Sequence, residues 1–167
     1  MLNESQEKYL ASLPDGKMID IKPFDAHARE IGNAIVDELQ KALPYAFIQL
    51  SGSLAFGIGG QNDIDVLIFP TPEEFDSTRI VIEKMFGTPS RVTKSVKWEF
   101  KREGFDVEIF MTDKDSYAGK EQAKIFEIVS QIKELRDEYE QTKLPYGPID
   151  SKEYLRKKFE FFNRILK

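Results

Sequence analysis

Two short segments, Leu50-Ser51-Gly52-Ser53 and Asp63-Ile64-Asp65-Val66, carry residues that could hold phosphate and metal. A strand that ends in Gly-Ser and opens into a turn or short helix offers backbone N–H groups without partners and a hydroxyl. Both kinds of donor suit phosphate oxygens. Gly52 and Ser53 are therefore the candidate residues for holding a phosphate-bearing ligand.

The Asp63-Ile64-Asp65 segment places two carboxylates two residues apart on a predicted strand, so both point to the same face at one edge of a sheet. Two like charges held so close repel each other unless a cation lies between them. Mg²⁺ takes such oxygen ligands, keeps other positions for water and phosphate, and assists phosphoryl transfer. Asp63 and Asp65 are thus candidate metal ligands.

A third carboxylate comes from the later segment Phe105-Asp106-Val107-Glu108-Ile109, in which Asp106 and Glu108 share one face of a predicted strand. We prefer Glu108, because it lies between apolar neighbours well inside the strand and away from the Glu103-Gly104 turn. Asp106 is the alternative, since a shift by one pleat keeps the same face. Alone, Gly-Ser is more often a turn and Asp-x-Asp a solvated strand end; their combination with a third acid indicates a site.

Changes in the hydrophobic period predict the elements that position these residues. An amphipathic helix is predicted over residues 26–43 and a crossover helix over 71–87, with a short helix starting at Ser53 or Leu54. Strands are predicted at 45–51, 64–69, 92–101 and 105–111, the last two forming an antiparallel hairpin. The Gly-Ser and Asp-x-Asp segments then lie at neighbouring strand ends.

The C-terminal part returns to a helical period from about residue 117. We predict one helix to about Lys143, a break at Pro145-Tyr-Gly-Pro148, and a last helix capped by Asp150 or Ser151. The apolar faces of these helices are interpreted as packing surfaces. The 167 residues are expected to form one domain, residues 1–167, with a helical C-terminal extension over about 117–167.

Composition narrows the function classes. The chain has 24 Lys and Arg against 29 Asp and Glu, a formal charge of -5, which argues against a nucleic-acid binder with a continuous basic face. With no Cys and one His, a thiolate nucleophile and a Cys-based zinc site are excluded, so a metal would be held by carboxylates. The polar N-terminus and the lack of a long apolar run predict no membrane contact and a cytoplasmic location.

The two segments together resemble the signature of the nucleotidyltransferase superfamily related to DNA polymerase beta. That signature is a hydrophobic residue, Gly-Ser or Gly-Gly, nine to thirteen residues, and Asp-hydrophobic-Asp/Glu-hydrophobic. In this chain Gly52-Ser53 and Asp63-Ile64-Asp65-Val66 match it at the shortest spacing. The resemblance implies an α+β fold, with a mixed sheet of about four to five strands flanked by helices, and a nucleotide bound with Mg²⁺.

Within that superfamily the chain resembles GrpB-like proteins. The matching segments are Ile19-Asp20-Ile21-Lys22-Pro23-Phe24-Asp25, Gly52-Ser53-Leu54-Ala55-Phe56-Gly57-Ile58, Leu135-Arg136-Asp137-Glu138-Tyr139 with Lys143, and Tyr154 with Lys158-Phe159. The chain departs from that family at Gln61-Asn62, where Lys-Pro is usual. It also has Asp106 or Glu108 where the family usually has a histidine on the later strand. Both departures bring it closer to the general transferase signature.

These patterns predict a Mg²⁺-dependent nucleotidyltransferase, with Mn²⁺ as a substitute metal. It would move a nucleoside monophosphate from ATP or another nucleoside triphosphate to a small-molecule or protein acceptor that the sequence does not identify. Asp63, Asp65 and Glu108 are the expected catalytic and metal-binding residues, and Gly52 and Ser53 the expected nucleotide-binding residues. Nucleic acid is not the expected partner. The alternatives are a non-catalytic nucleotide-binding or regulatory module, such as an antitoxin-like partner, and a purely structural domain.

Overall fold

The computed structural model describes residues 1–116 and 119–167 in full and the backbone alone at 117 and 118. In chain order the strands are β1 (Met18–Ile21), β2 (Phe47–Ser51), β3 (Ile64–Phe69), β4 (Arg91–Val92), β5 (Ser95–Arg102), β6 (Phe105–Thr112) and β7 (Gly147–Asp150). Five of them form a mixed sheet in the order β2-β3-β6-β5-β4, while β1 and β7 form a separate two-stranded sheet. This architecture confirms the predicted α+β class.

The helices are α1 (Glu4–Ser12), α2 (Ala26–Ala42), α3 (Gly52–Phe56), α4 (Phe75–Phe86), α5 (Tyr117–Gln131), α6 (Lys133–Gln141) and α7 (Ser151–Ile165). Helix α2 begins at Asp25, whose carboxylate accepts hydrogen bonds from the backbone of His27 and Ala28. Helix α4 follows a single 3₁₀ turn, Pro72–Glu74, with Thr71 and Glu74 forming a capping box. It lies, with β4 and β5, in the connection between two parallel strands, β3 and β6.

The order of strands in the main sheet decides which residues meet at the predicted site. Strand β3 is central, with β2 antiparallel on one side and β6 parallel on the other. Strands β5 and β6 form the predicted antiparallel hairpin, closed by the turn at Glu103 and Gly104, both of which have positive φ. The Asp-x-Asp strand and the strand that carries the third acid are therefore direct neighbours.

One face of the main sheet packs on α2 and α4 and forms the larger core. Ile64, Val66 and Ile68 of β3 lie in this cluster with Ile35 of α2 and Ile82 of α4, and none of these side chains is accessible to solvent. The alternation of side chains along β3 therefore turns Asp65 to the opposite face. The strand is buried on one face by packing and presents its candidate site residue on the other.

The opposite face of the sheet is covered by the C-terminal helices. A second, smaller cluster contains Ile125 and Val129 of α5, Tyr139 of α6 and Phe161 of α7. The Tyr139 and Phe161 rings are stacked with centroids 4.9 Å apart. Within the part of the chain that the structure describes, no helix is both long and apolar enough to cross a membrane.

The single helix expected from residue 117 to about Lys143 is wrong, because the chain breaks at Ile132. This residue has an extended backbone (φ -110°, ψ 106°) between α5 and α6. The Arg136 guanidinium donates hydrogen bonds to the backbone oxygens of Val129 and Ser130, carbonyls at the end of α5. A basic side chain satisfying these carbonyls stabilises the end of one helix and the start of the next, without any Gly or Pro to mark it.

The small sheet of β1 and β7 joins parts of the chain far apart in sequence. Met18 lies opposite Asp150, and Ile21 lies opposite Gly147. Strand β7 was not predicted, because Gly147-Pro148 in its sequence reads as a break. After β1, Lys22 pairs through its backbone with Gly60, which belongs to the loop between the Gly-Ser and Asp-x-Asp segments. Backbone hydrogen bonds therefore hold that loop against the N-terminal segment.

Candidate functional site

The Gly52-Ser53 segment turns the chain sharply at the end of β2. Gly52 has a φ of +67°, and a Cβ at this position would lie 2.6 Å from the Asp65 Oδ2 atom. Glycine is strongly favoured here, because a side chain would strain the backbone at positive φ and would displace the Asp65 carboxylate. The backbone of the Gly-Ser turn is therefore in close contact with the second aspartate of the Asp-x-Asp segment.

The two aspartates and Glu108 lie on the same side of the main sheet. Asp63 directly precedes β3, Asp65 is its second residue, and Asp65 lies opposite Glu108 in the register of the parallel β3–β6 pair. All three line one cavity of about 330 Å³, together with Gly52 and Ser53. The fold therefore brings every preferred site residue to one cavity.

The alternative acid, Asp106, lies nearer the hairpin turn. It is exposed and its carboxylate forms an ion pair with Lys101 at 2.7 Å. It lines a second cavity of about 250 Å³ that also includes Asp63, Asp65 and Glu108. The two cavities thus meet at the row of carboxylates, and Asp106 belongs only to the second.

The electrostatics of the aspartates are those of crowded, desolvated acids. Burial raises the pKa of Asp65 to about 7; Lys158 opposes this, while Glu108 and Asp63 add to it. Burial also raises the pKa of Asp63, with Asp106 and Glu108 adding to the effect. Neither aspartate forms a hydrogen bond or an ion pair with another of the described residues. Both carboxylates are therefore free to take a cationic ligand.

Glu108, unlike the two aspartates, forms an ion pair. The Lys97 ammonium lies 3.0 Å from the Glu108 Oε2 atom and 2.8 Å from the Glu99 Oε1 atom. Among the described residues, no group of three or more Asp, Glu, His or Cys side chains is spaced to hold a metal ion. Asp63 and Asp65 alone could offer carboxylate oxygens to a divalent cation, which would need water or phosphate oxygens for its other positions. Glu108 would have to leave Lys97 to join them.

The far wall of the larger cavity comes from the C-terminal helices. It contains apolar and aromatic side chains, among them Phe126, Tyr139, Tyr154 and Phe162, together with Lys158. The second core cluster confirms the interpretation of these helix faces as packing surfaces, and the same faces also line the cavity. One side of it is acidic and polar, and the other is aromatic.

Two lysines near the Gly-Ser turn were not predicted as site residues. Lys143, only 1% exposed, donates hydrogen bonds from Nζ to the Ser53 Oγ atom at 2.6 Å and to the Gly59 carbonyl at 2.8 Å. Lys158 lies in the cavity wall. The signal that could have found them is a repeated Tyr-x-x-x-Lys pattern, Tyr139 with Lys143 and Tyr154 with Lys158, because residues four apart share one helix face.

No family model matches the sequence, and no curated protein sequence matches it either. Solved structures, in contrast, do match the chain. The crystal structure of the conserved protein GrpB from Enterococcus faecalis superposes with a TM-score of 0.61 at 9% identity, covering 88% of this chain and 99% of GrpB. The chain has a GrpB-like fold.

The GrpB-like fold is also shared with a larger transferase. Cid1, whose structural plasticity is described as a basis for its RNA terminal uridylyl transferase activity, superposes with a TM-score of 0.53 at 12% identity. The match covers 84% of this chain but 44% of Cid1, so the chain spans less than half of that protein. These two likenesses confirm the resemblance predicted from the Gly-Ser and Asp-x-Asp segments: a nucleotidyltransferase-type fold in its GrpB-like form.

Proposed function

We propose that this protein is a nucleotidyltransferase that moves a nucleoside monophosphate from ATP or another nucleoside triphosphate to an acceptor. The observation that carries the proposal is the shared cavity: Asp63, Asp65 and Glu108 line the same space as Gly52 and Ser53. In a transferase, the phosphates must lie between a hydrogen-bond donor turn and a row of carboxylates. The GrpB-like fold supports this assignment.

In the proposed reaction an acceptor oxygen attacks the α-phosphorus. The bond from that phosphorus to the bridging oxygen breaks, and pyrophosphate leaves with the electron pair. Ser53 and the Gly52 backbone bind phosphate oxygens, Lys158 adds a positive charge, and Glu108 accepts the acceptor's proton or acts as a third metal ligand. Asp63 and Asp65 would hold Mg²⁺ or Mn²⁺, which supplies charge neutralisation at the phosphates when bound.

The direct test is calorimetric titration with ATP, with and without Mg²⁺, on the wild type and on an Asp63→Asn, Asp65→Asn double variant. The expected result is metal-dependent binding in the wild type that the double variant loses. Asp37→Asn is the matched control, because Asp37 is exposed on α2, the helix that packs on the other face of the sheet. Equal binding by the wild type and the double variant would place the nucleotide elsewhere.

A second function, a non-catalytic nucleotide-binding module, is favoured by one specific observation: Glu108 is held by Lys97. In such a module the aspartates would bind metal and nucleotide without transfer. Release of pyrophosphate from ATP in the presence of pooled small molecules, proteins or RNA separates the two functions. RNA is included because Cid1, which shares the fold, is described as an RNA terminal uridylyl transferase. Tight binding without pyrophosphate release from any pool would favour the module.

A further inference from the structure

Lys143 lies directly behind the proposed phosphate site. Its ammonium nitrogen contacts the Ser53 hydroxyl and the Gly59 carbonyl, and it lies 3.9 Å from the centroid of the Tyr139 ring. Ser53 lines the cavity, whereas Lys143 lies behind it and outside the cavity wall. The hydrogen bond to Ser53 therefore connects Lys143 to the cavity.

No carboxylate neutralises this buried lysine among the contacts of the described residues. Lys158 of α7 repels it, and Glu140 of α6 attracts it. The Glu140 Oε1 atom is occupied by the Gly59 backbone N–H at 2.9 Å and the Tyr146 hydroxyl at 2.6 Å. The loop and α3 offer Lys143 only neutral acceptors, the Gly59 carbonyl and the Ser53 hydroxyl. A buried ammonium without a paired carboxylate is costly unless a ligand brings negative charge.

The protonation state of Lys143 sets the direction of the hydrogen bond to Ser53. An ammonium has three donors and no acceptor, so Ser53 Oγ must accept and its own proton is left to point into the cavity. A neutral amine has a lone pair and can accept the Ser53 proton instead, which leaves only oxygen lone pairs facing the cavity. Phosphate oxygens need a donor, so they favour the first arrangement.

We propose that Lys143 is a positioning residue that takes up one proton from solution when the phosphates of a nucleotide bind, and so turns the Ser53 hydroxyl toward them. The inference rests on the proposed function, because Ser53 is the phosphate contact. The free site is prepared for this uptake: burial lowers the pKa of Lys143 to about 7, and Lys158 acts in the same direction. Near pH 8 the free lysine is then mostly neutral.

The experiment is calorimetric binding of MgATP at pH 8 in buffers of different ionisation enthalpy, which counts the protons taken up. The expected result for the wild type is uptake of close to one proton, because a lysine with a pKa of about 7 is mostly neutral at pH 8 and Asp65 then has little proton left to release. Lys143→Arg, which stays charged, and Lys143→Met, which cannot be charged, should both show no uptake. Lys94→Met, at an exposed position in the β4–β5 turn, should match the wild type.

A pH series separates positioning from a merely structural role. For the wild type the affinity for inorganic triphosphate with Mg²⁺ should fall as the pH rises, approaching tenfold per pH unit above about pH 8, because each binding event requires the proton. Loss of the Asp65 proton, which metal binding requires and which has a pKa of about 7, acts in the opposite direction below about pH 8. Ionisation of the triphosphate itself raises its charge and acts in the opposite direction. In both Lys143 variants the affinity for triphosphate should not decrease in this way as the pH rises, whatever its absolute value.

The outcomes distinguish this inference from the proposed function. Binding of MgATP without proton uptake in the wild type overturns the role of Lys143 and leaves the transferase proposal intact. If no nucleotide binds, the transferase proposal fails. The Lys143 Nζ resonance in ¹⁵N-lysine-labelled protein, assigned by its loss in Lys143→Arg, then decides the matter: a titration near pH 7 that inorganic triphosphate does not raise overturns the inference as well.

Discussion

Asp65 of β3 lies directly opposite Glu108 of β6, and both line the cavity that also contains Ser53. A parallel pair joined through α4, β4 and β5 holds these two carboxylates at neighbouring positions by backbone register. Their approach therefore does not depend on a ligand. The repulsion between them is built into the sheet, and it has measurable consequences in the ligand-free protein.

The first prediction concerns pH and stability without metal. The raised pKa of Asp65, about 7 in the folded chain, means that the native state binds more protons than the unfolded state between about pH 4 and 7. Its contribution to stability is thus present below pH 4 and lost as the pH rises to 7. Asp65→Asn should remove this loss, raising the free energy of unfolding by roughly 2–4 kcal/mol at pH 7.5.

Urea unfolding at several pH values in EDTA measures this effect. The difference between Asp65→Asn and the wild type should grow from near zero at pH 4 to its full value at pH 7.5. Asp37→Asn should follow the wild type throughout. A constant difference across the pH range would contradict the assignment of a raised pKa to Asp65.

The second prediction concerns the close approach at Gly52. Gly52→Ala should destabilise the protein by about 1–3 kcal/mol, because it adds positive-φ strain and places a Cβ 2.6 Å from the Asp65 Oδ2 atom. Gly16→Ala is the matched control, with a φ of +68° and nothing within 4 Å of its added Cβ. It should show the strain alone, about 1 kcal/mol.

Thermal or urea unfolding of both variants gives the comparison. Combining Gly52→Ala with Asp65→Ala should cost less than the sum of the two single changes, because the clash disappears with the carboxylate. If the losses in free energy of unfolding simply add in the double variant, the contact between Gly52 and Asp65 does not affect stability.

A third prediction distinguishes Glu108 from Asp106 as the additional metal ligand. Lys97→Met frees Glu108 from its ion pair, and Lys101→Met frees Asp106 in the same way. If Glu108 serves the metal, Lys97→Met should tighten Mn²⁺ binding about fivefold, corresponding to ~1 kcal/mol, and Lys101→Met should change it little. Electron paramagnetic resonance of free Mn²⁺ measures both. The reverse order would assign the role to Asp106.

A fourth prediction concerns the loop between the two segments. The Glu140 Oε1 atom accepts hydrogen bonds from the Gly59 N–H and the Tyr146 hydroxyl. Glu140→Ala should cost about 1–3 kcal/mol, because the buried Gly59 N–H loses its partner. Glu140→Gln keeps an acceptor oxygen and should recover most of the loss. Urea unfolding and amide exchange at Gly59 report the change, and unchanged exchange in Glu140→Ala would count against it.

The central part of the fold follows from local patterns in the sequence. Alternating residues in β5 and β6 predicted their hairpin, and the apolar run of β3 predicted a strand stopped at Pro70. The Gly-Ser and Asp-x-Asp segments were predicted at neighbouring strand ends, and in the structure both line one cavity. Period and spacing are local properties, so a single sequence contains them.

Two of the unpredicted features depend on contacts between distant residues. Lys143 and Ser53 are 90 positions apart, and a lysine on an amphipathic helix normally reads as solvated. Strand β7 exists because β1 pairs with it, although Gly147-Pro148 disfavours a strand. The break at Ile132 is local, but no Gly or Pro marks it; Arg136 stabilises it through carbonyls six and seven residues earlier. The partners of Lys143 and of β7 cannot be read from a local pattern.

The division of the cavity between the sheet and the C-terminal helices has a consequence for folding. Its donor turn and acids are complete by residue 108, whereas its aromatic wall and lysines come from residues 122–162. Closing such long separations is slow compared with forming a hairpin. During synthesis the donor turn and the acids emerge before the helices that form the far wall, so we expect the complete cavity to form only when the last helices dock.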